Sequence, residues 1–136
     1  MITAKVQGMP QLRAKLLAMQ AKATTAMTKA TLAGAEVVRE EASALAPRRK
    51  TETKIGHMAD HIVVQLMRST APLHVRVRIG PDKDHWYGRF SETGTVKMAA
   101  HPFLRPALDT KADEALQKFK AAMRRELGVG GLRIVR

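Results

Sequence analysis

The sequence predicts an α+β fold: a long N-terminal helix and a C-terminal helix packed on a small antiparallel β-sheet. Three observations predict it. Apolar residues recur at three-four spacing up to Pro47, two strand-length segments lie between Ile62 and Ile79, and a second three-four run extends from about Pro102 to Leu127. At 136 residues such a chain makes one domain, here 1–127, with 48–57 as a flexible loop and 128–136 as a flexible tail.

Residues 2–7, Ile-Thr-Ala-Lys-Val-Gln, alternate apolar and polar like a short strand, and Gly8 with Pro10 marks a turn into a helix. From Gln11 the period changes. Leu12, Leu16, Met19, Ala23, Ala26, Ala30, Ala33, Val37 and Ala44 keep helical spacing, with Glu41 the one polar interruption; a helix of about 35 residues, ~50 Å long, follows. Its Ala-rich middle, interspersed with Thr24, Thr25, Thr28 and Thr31, suits close packing against a sheet or another helix. A break near Thr31 to Gly34 and a thin coiled-coil seam are the alternatives.

Pro47 ends that helix, and the polar, basic stretch after it reads as a loop. Ile62 to Met67 is an apolar run of strand length. Leu73 to Ile79 alternates, with Val75, Val77 and Ile79 on one face and His74, Arg76 and Arg78 on the other. Four residues, Ser69 to Pro72, separate the two, which predicts an antiparallel hairpin. Gly80-Pro81-Asp82 closes it. The segment from His85 to Leu108 then holds four of the five aromatics of the chain. Trp86, Tyr87 and Phe90 fall at i, i+1 and i+4, which one helical turn would set on one side, Gly94 supplies a stop, and Pro102 and Pro106 open a new helix. Along that helix Leu104, Leu108, Ala112, Ala115, Phe119 and Met123 form the expected apolar face, widened by Leu116, with acids early and bases late as the helix dipole favours. Gly128 caps it, and Val129 to Arg136 form a glycine-hinged, apolar-basic end.

Composition narrows the function. The chain has no cysteine, which excludes disulfides, thiolate catalysis and Cys-based zinc sites. No secretory leader is apparent and no stretch approaches the ~18 apolar residues of a membrane span, so a soluble, non-secreted protein is expected, with no membrane partner. The formal net charge is +12, spread along the whole chain. Such an excess suits DNA, an acidic protein or an anionic surface.

Chemistry is sparsely signalled. His57 and His61 are four apart, but on the approach to a strand this spacing separates side chains by ~13 Å, and no third metal ligand is spaced to join them. Asp60, Asp82, Asp84 and Glu92 could supply carboxylates and His85 or His101 a base, yet no nucleophile motif or phosphate-cradling glycine loop accompanies them. The expectation is therefore a protein without catalytic residues, metal or cofactor. Arg76 and Arg78 beside His74, with Arg48, Arg49 and Lys50 in the loop, leave open a contact with DNA or an acidic partner.

The order of these pieces is itself a signature. A long helix ends in Ala46-Pro47; Gly56-x-Met58-x-x-His61-Ile62 leads into the hairpin. Tyr87, Phe90, Glu92, Gly94, Thr95, Lys97, Met98, Ala100 and the run Pro102 to Ala107 follow. This arrangement resembles the neck and tail-completion family of long-tailed bacteriophages, small virion proteins that join head to tail. Residues Arg48 to Ile55 are longer and more basic than that pattern, and His61 stands where a serine is common. The resemblance implies a structural subunit of the virion, made in the host cytoplasm and placed at the head–tail joint. Its partners would be copies of itself in a ring of six or twelve, the adjoining connector and tail-terminator proteins, and genomic DNA passing through the ring. Under this reading Trp86, Tyr87, Phe90, Phe103 and Leu104 anchor the fold and the subunit interface, with Thr95 in the adjoining turn and Glu92 and Arg105 as polar partners. The rival is a non-specific DNA-binding module working through the basic strand face and loop.

Overall fold

The computed structural model describes residues 8–48 and 56–128. Residues 2–7, expected as a short strand, most of the 48–57 segment including Arg49 and Lys50, and the residues beyond Gly128 lie outside them. The elements run α1 (Met9–Leu45), a single 3-10 turn (Met58–His61), β1 (Ile62–Met67), β2 (Arg76–Pro81), α2 (Gly88–Thr93) and α3 (Leu104–Leu127). The architecture is α+β, two helices against a two-stranded antiparallel sheet.

Helix α1 is one unbroken element of 37 residues. Gly8 precedes it at φ 93, with Pro10 in the first turn, where its missing N–H costs nothing. The threonines that weaken helix propensity are satisfied inside it: the hydroxyls of Thr24, Thr25, Thr28 and Thr31 each donate to the carbonyl four residues earlier at 2.7–3.0 Å. Gly34 does not break the helix. A Cβ there would stand 2.9 Å from the Ala115 carbonyl oxygen, so glycine marks where α1 and α3 cross most closely. The helix stops at Ala46, whose extended ψ of 138 is what the following proline requires.

The two long helices are antiparallel, with Gly34 against Ala115 and Phe119 and Lys29 Nζ reaching Glu126 at 2.7 Å. α3 ends near that pair. About 25 Å of α1, its first seventeen or so residues, therefore runs past it. Of the apolar stripe read from the sequence only Ala26 and Ala30 are buried; beyond them the buried positions shift to Gly34, Ala35, Val38 and Ala42, with Ala33 and Val37 half-buried and Ala44 exposed. Met9, Leu12, Leu16, Leu17 and Met19 are exposed.

The hairpin pairs Ile62 with Pro81 through Met67 with Arg76. β1 has the bounds the sequence predicts, while β2 starts three residues later and runs two further. Leu73 explains the late start: its φ of 56 is left-handed and interrupts the extended run. On β2 Val77 and Ile79 are half-buried and Arg76 and Arg78 exposed, as alternation requires.

The core sits where the last turns of α1 meet the 3-10 turn, the sheet and the start of α3. Val38, Ala42, Ala46, Met58, Ala59, Ile62, Phe103 and Ala107 form it, flanked by Ile79, Tyr87, Leu104 and Ala115. The α3 face is only partly the expected one. Leu104, Ala115, Phe119 and Met123 are half-buried, but Leu108 and Leu116 are 53% and 48% exposed and Ala112 is also exposed, whereas Ala107 and Ala122 are buried. Small residues take the closest positions because α1 itself presents alanine and glycine there, as where Ala115 meets Gly34.

Candidate functional site: the aromatic turn and its groove

The turn between β2 and α3 is assembled from short-range constraints. The Asp82 carboxylate accepts the His85 backbone N–H at 3.0 Å and its Nδ1 at 2.6 Å through one oxygen, and faces His61 Nδ1 at 3.1 Å through the other. Because a carboxylate only accepts, each imidazole donates from Nδ1. Burial disfavours the charged carboxylate, but the bonds from His85 and the two nearby imidazoles outweigh it and hold Asp82 below its ordinary value. His85 is 1% exposed, stacks on His61 with ring centres 4.5 Å apart at 19°, and keeps an Nε2 without a partner among the described residues.

His61, Asp82 and His85 are also the one group among the described residues whose ligand atoms converge, all within 4.8 Å of one another. An imidazole ligates in its own ring plane, and these two rings are nearly parallel and stacked. No ion lies in both planes as they stand. Sequence spacing missed this cluster because its members come from different elements. The register that sets Ile62 opposite Pro81 brings His61 beside Asp82; only the short Asp82-x-x-His85 spacing was visible.

Beyond His85 the aromatics part company. Tyr87 turns into the core, 5.9 Å from the His85 ring, while Trp86 stays 58% exposed and meets Phe90 edge to face at 5.5 Å. Neighbouring residues on a turn point about 100° apart, so Trp86 and Tyr87 do not share the side that sequence spacing suggested. Gly88 permits the turn to lie flat on the sheet: a Cβ there would overlap the Met58 sulfur and come 2.6 Å from Pro81 Cγ. Gly94 stops α2 at φ 74, its N–H bonded to Phe90 O at 2.8 Å. Thr95 and Met98 then exchange backbone bonds at 2.9 and 3.2 Å around a tip where Val96 is fully exposed.

Glu92 ties this turn to α3. Its carboxylate accepts the backbone N–H groups of Phe103 (2.8 Å), Leu104 (3.0 Å) and Arg105 (3.3 Å), the donors a helix leaves unsatisfied at its start. Burial opposes the charge, yet these three donors and the positive Arg105 prevail and keep the carboxyl below its ordinary value. Glu92 and Arg105 thus meet within the subunit, through the Arg105 backbone. Phe103 is fully buried and serves the subunit's own core; Leu104 is half-buried and Thr95 exposed.

The remaining basic residues are scattered. Arg48 pairs with Asp60 at 2.8 Å, and Arg76 and Arg78 lie exposed along β2. Arg78, but not Arg76, joins Lys83, Trp86, Arg89, Ile79 and Leu104 around a groove of about 490 Å³, which Asp82 and Glu92 also line.

The model of the HK97-gp10-like family, described as "Bacteriophage HK97-gp10, putative tail-component", matches residues 11–94. The chain belongs to this family. It is accordingly a bacteriophage tail component, and its place is in the virion among other phage structural proteins. The matched span takes in α1, the hairpin and α2 up to Gly94, so it includes Glu92 but not the α3 backbone that Glu92 holds. No curated protein and no solved structure matches the chain. Among the described residues no helix is long and apolar enough to cross a membrane.

Proposed function

We propose that this tail component is a neck or tail-completion subunit that joins head to tail by packing in a ring of its own copies, without bond-making chemistry. The observation that carries the reading is the uncovered end of α1. Leu12, Leu16 and Met19 continue the very stripe that α3 covers from Ala26 onward, and with Met9 and Leu17 they are all more than half exposed. An apolar stripe of this extent marks a contact surface in a virion protein, and closed symmetry repeats one such contact around an axis. Trp86, Val96 and Met98, also exposed, provide a second contact surface for the adjoining connector or terminator.

Mass measurement of the purified chain, followed by location of its copies in the particle, tests the reading. A ring found at the head–tail joint supports it. Virions that lack the chain and still carry firmly attached tails refute it. DNA passing through the ring would meet some of the excess positive charge, and direct DNA binding is the rival that the salt titration below separates.

A further inference from the structure

We propose that the groove beside Trp86 docks an acidic peptide segment with apolar anchors, contributed by a neighbouring protein of the tail assembly. The groove combines two kinds of surface. Ile79, Leu104 and the indole of Trp86 provide apolar walls, and Arg78, Lys83 and Arg89 provide charge. None of these three cations has a carboxylate within ion-pair distance among the described residues. The carboxylates at the groove are already committed: Asp82 to His85 and His61, Glu92 to the first N–H groups of α3. Three cations stand against these two carboxylates, so the groove keeps a positive excess. Arg89 is further held in place, its guanidinium carbon 5.6 Å from the Trp86 ring centre and 5.1 Å from that of Phe90, so less side-chain freedom is lost on binding.

Charge complementarity selects the occupant. The net charge of +12 disfavours a second copy as occupant, and the chain's own segments 1–7, 49–55 and 129–136 each carry more base than acid. A duplex phosphate backbone is disfavoured by the apolar walls of Ile79, Leu104 and Trp86, which phosphates do not fill. An extended segment alternating acidic and apolar side chains satisfies both surfaces, and a concavity of this size suits a few such side chains. The inference rests on head-to-tail joining only for the partner's position in the particle.

Trp86 is the only tryptophan in the chain, so its emission reports the groove directly. The full chain is titrated with a short synthetic peptide alternating Glu and Leu, with a Lys and Leu counterpart, and with duplex DNA. The expected result is a saturable change in Trp86 emission with the Glu–Leu peptide alone, weakened about tenfold by Lys83→Glu or Arg78→Glu. Circular dichroism confirms that these exposed substitutions leave the fold intact, and Lys83→Gln and Arg78→Gln serve if the reversals do not fold. The inference is overturned by no change with the Glu–Leu peptide, by an equal response to the Lys–Leu peptide, by displacement of the acidic peptide by DNA, or by variants that bind as the parent does. Its failure leaves the joining role standing, since that role is decided by where the chain sits in the particle.

Discussion

The Glu92 carboxylate receives the backbone N–H of Phe103 at 2.8 Å, so a side chain from one helix starts the next, eleven residues on. No side chain of α3 itself caps that end. Replacing Glu92 by Ala leaves three N–H groups without this acceptor and should lower stability by about 1–2 kcal/mol, at the upper end for a helix cap. Thermal unfolding of the two proteins measures it, and an unchanged midpoint would refute the capping role.

The same carboxylate sets an acid response. Its folded value lies below the ordinary 4.5, so ionised Glu92 adds stability above that value and the contribution is lost as pH falls through the lowered one. Glu92→Gln should therefore lose less stability than the parent between about pH 5 and pH 3. Asp82 is shifted in the same direction and keeps part of the slope in the variant. Denaturant melts across this range provide the check.

Phe103 is the largest fully buried side chain among the described residues. Its replacement by Ala opens a cavity among Val38, Ala42 and Ile62 and should cost about 3–5 kcal/mol. A variant as heat-stable as the parent would show that the ring does not anchor the core.

At Gly34 two effects compete. Alanine gains about 1 kcal/mol of helix propensity, but its Cβ would stand 2.9 Å from the Ala115 carbonyl oxygen, a contact with backbone that cannot swing aside. Overpacking costs of about 1–3 kcal/mol exceed the gain, and Gly34→Ala should unfold at a lower temperature than the parent. A higher midpoint would mean that the helices separate cheaply.

Leu16 lies on the uncovered part of α1, 56% exposed. Leu16→Glu should leave the stability of the isolated subunit within about 0.5 kcal/mol while reducing association between copies. Salt adds an independent sign. With a net charge of +12, like-charge repulsion opposes self-association and salt screens it, so ring formation should strengthen as ionic strength rises. DNA binding would weaken instead. Light scattering and filter binding across one salt series distinguish the two.

Much of this architecture was legible in the sequence. Pro47, Gly94 and Gly128 act where their backbone chemistry says they should, and period alone places α1, β1 and α3. Residues whose role depends on a partner element were less visible. Leu108 and Leu116 fit a helical stripe, yet which side of α3 meets α1 depends on Ala and Gly across the crossing, and no one-dimensional period contains that. His61 and Asp82 are neighbours through strand register, which spacing along the chain does not express. Glu92 was recognised as significant, but not as an acceptor for backbone groups, since those groups carry no residue-specific sign. The exposed start of α1 carries the same three-four pattern as its buried continuation, because a helix bearing an interface and one bearing a core obey a single spacing rule.

The borrowed cap ties two distant bends together. The first turn of α3 has no local side-chain cap, so its start depends on Gly94 turning the chain to bring Glu92 into range. Damage to that bend, as in Gly94→Ala with its forced positive φ, would surface remotely, as fraying where Phe103 enters the interior.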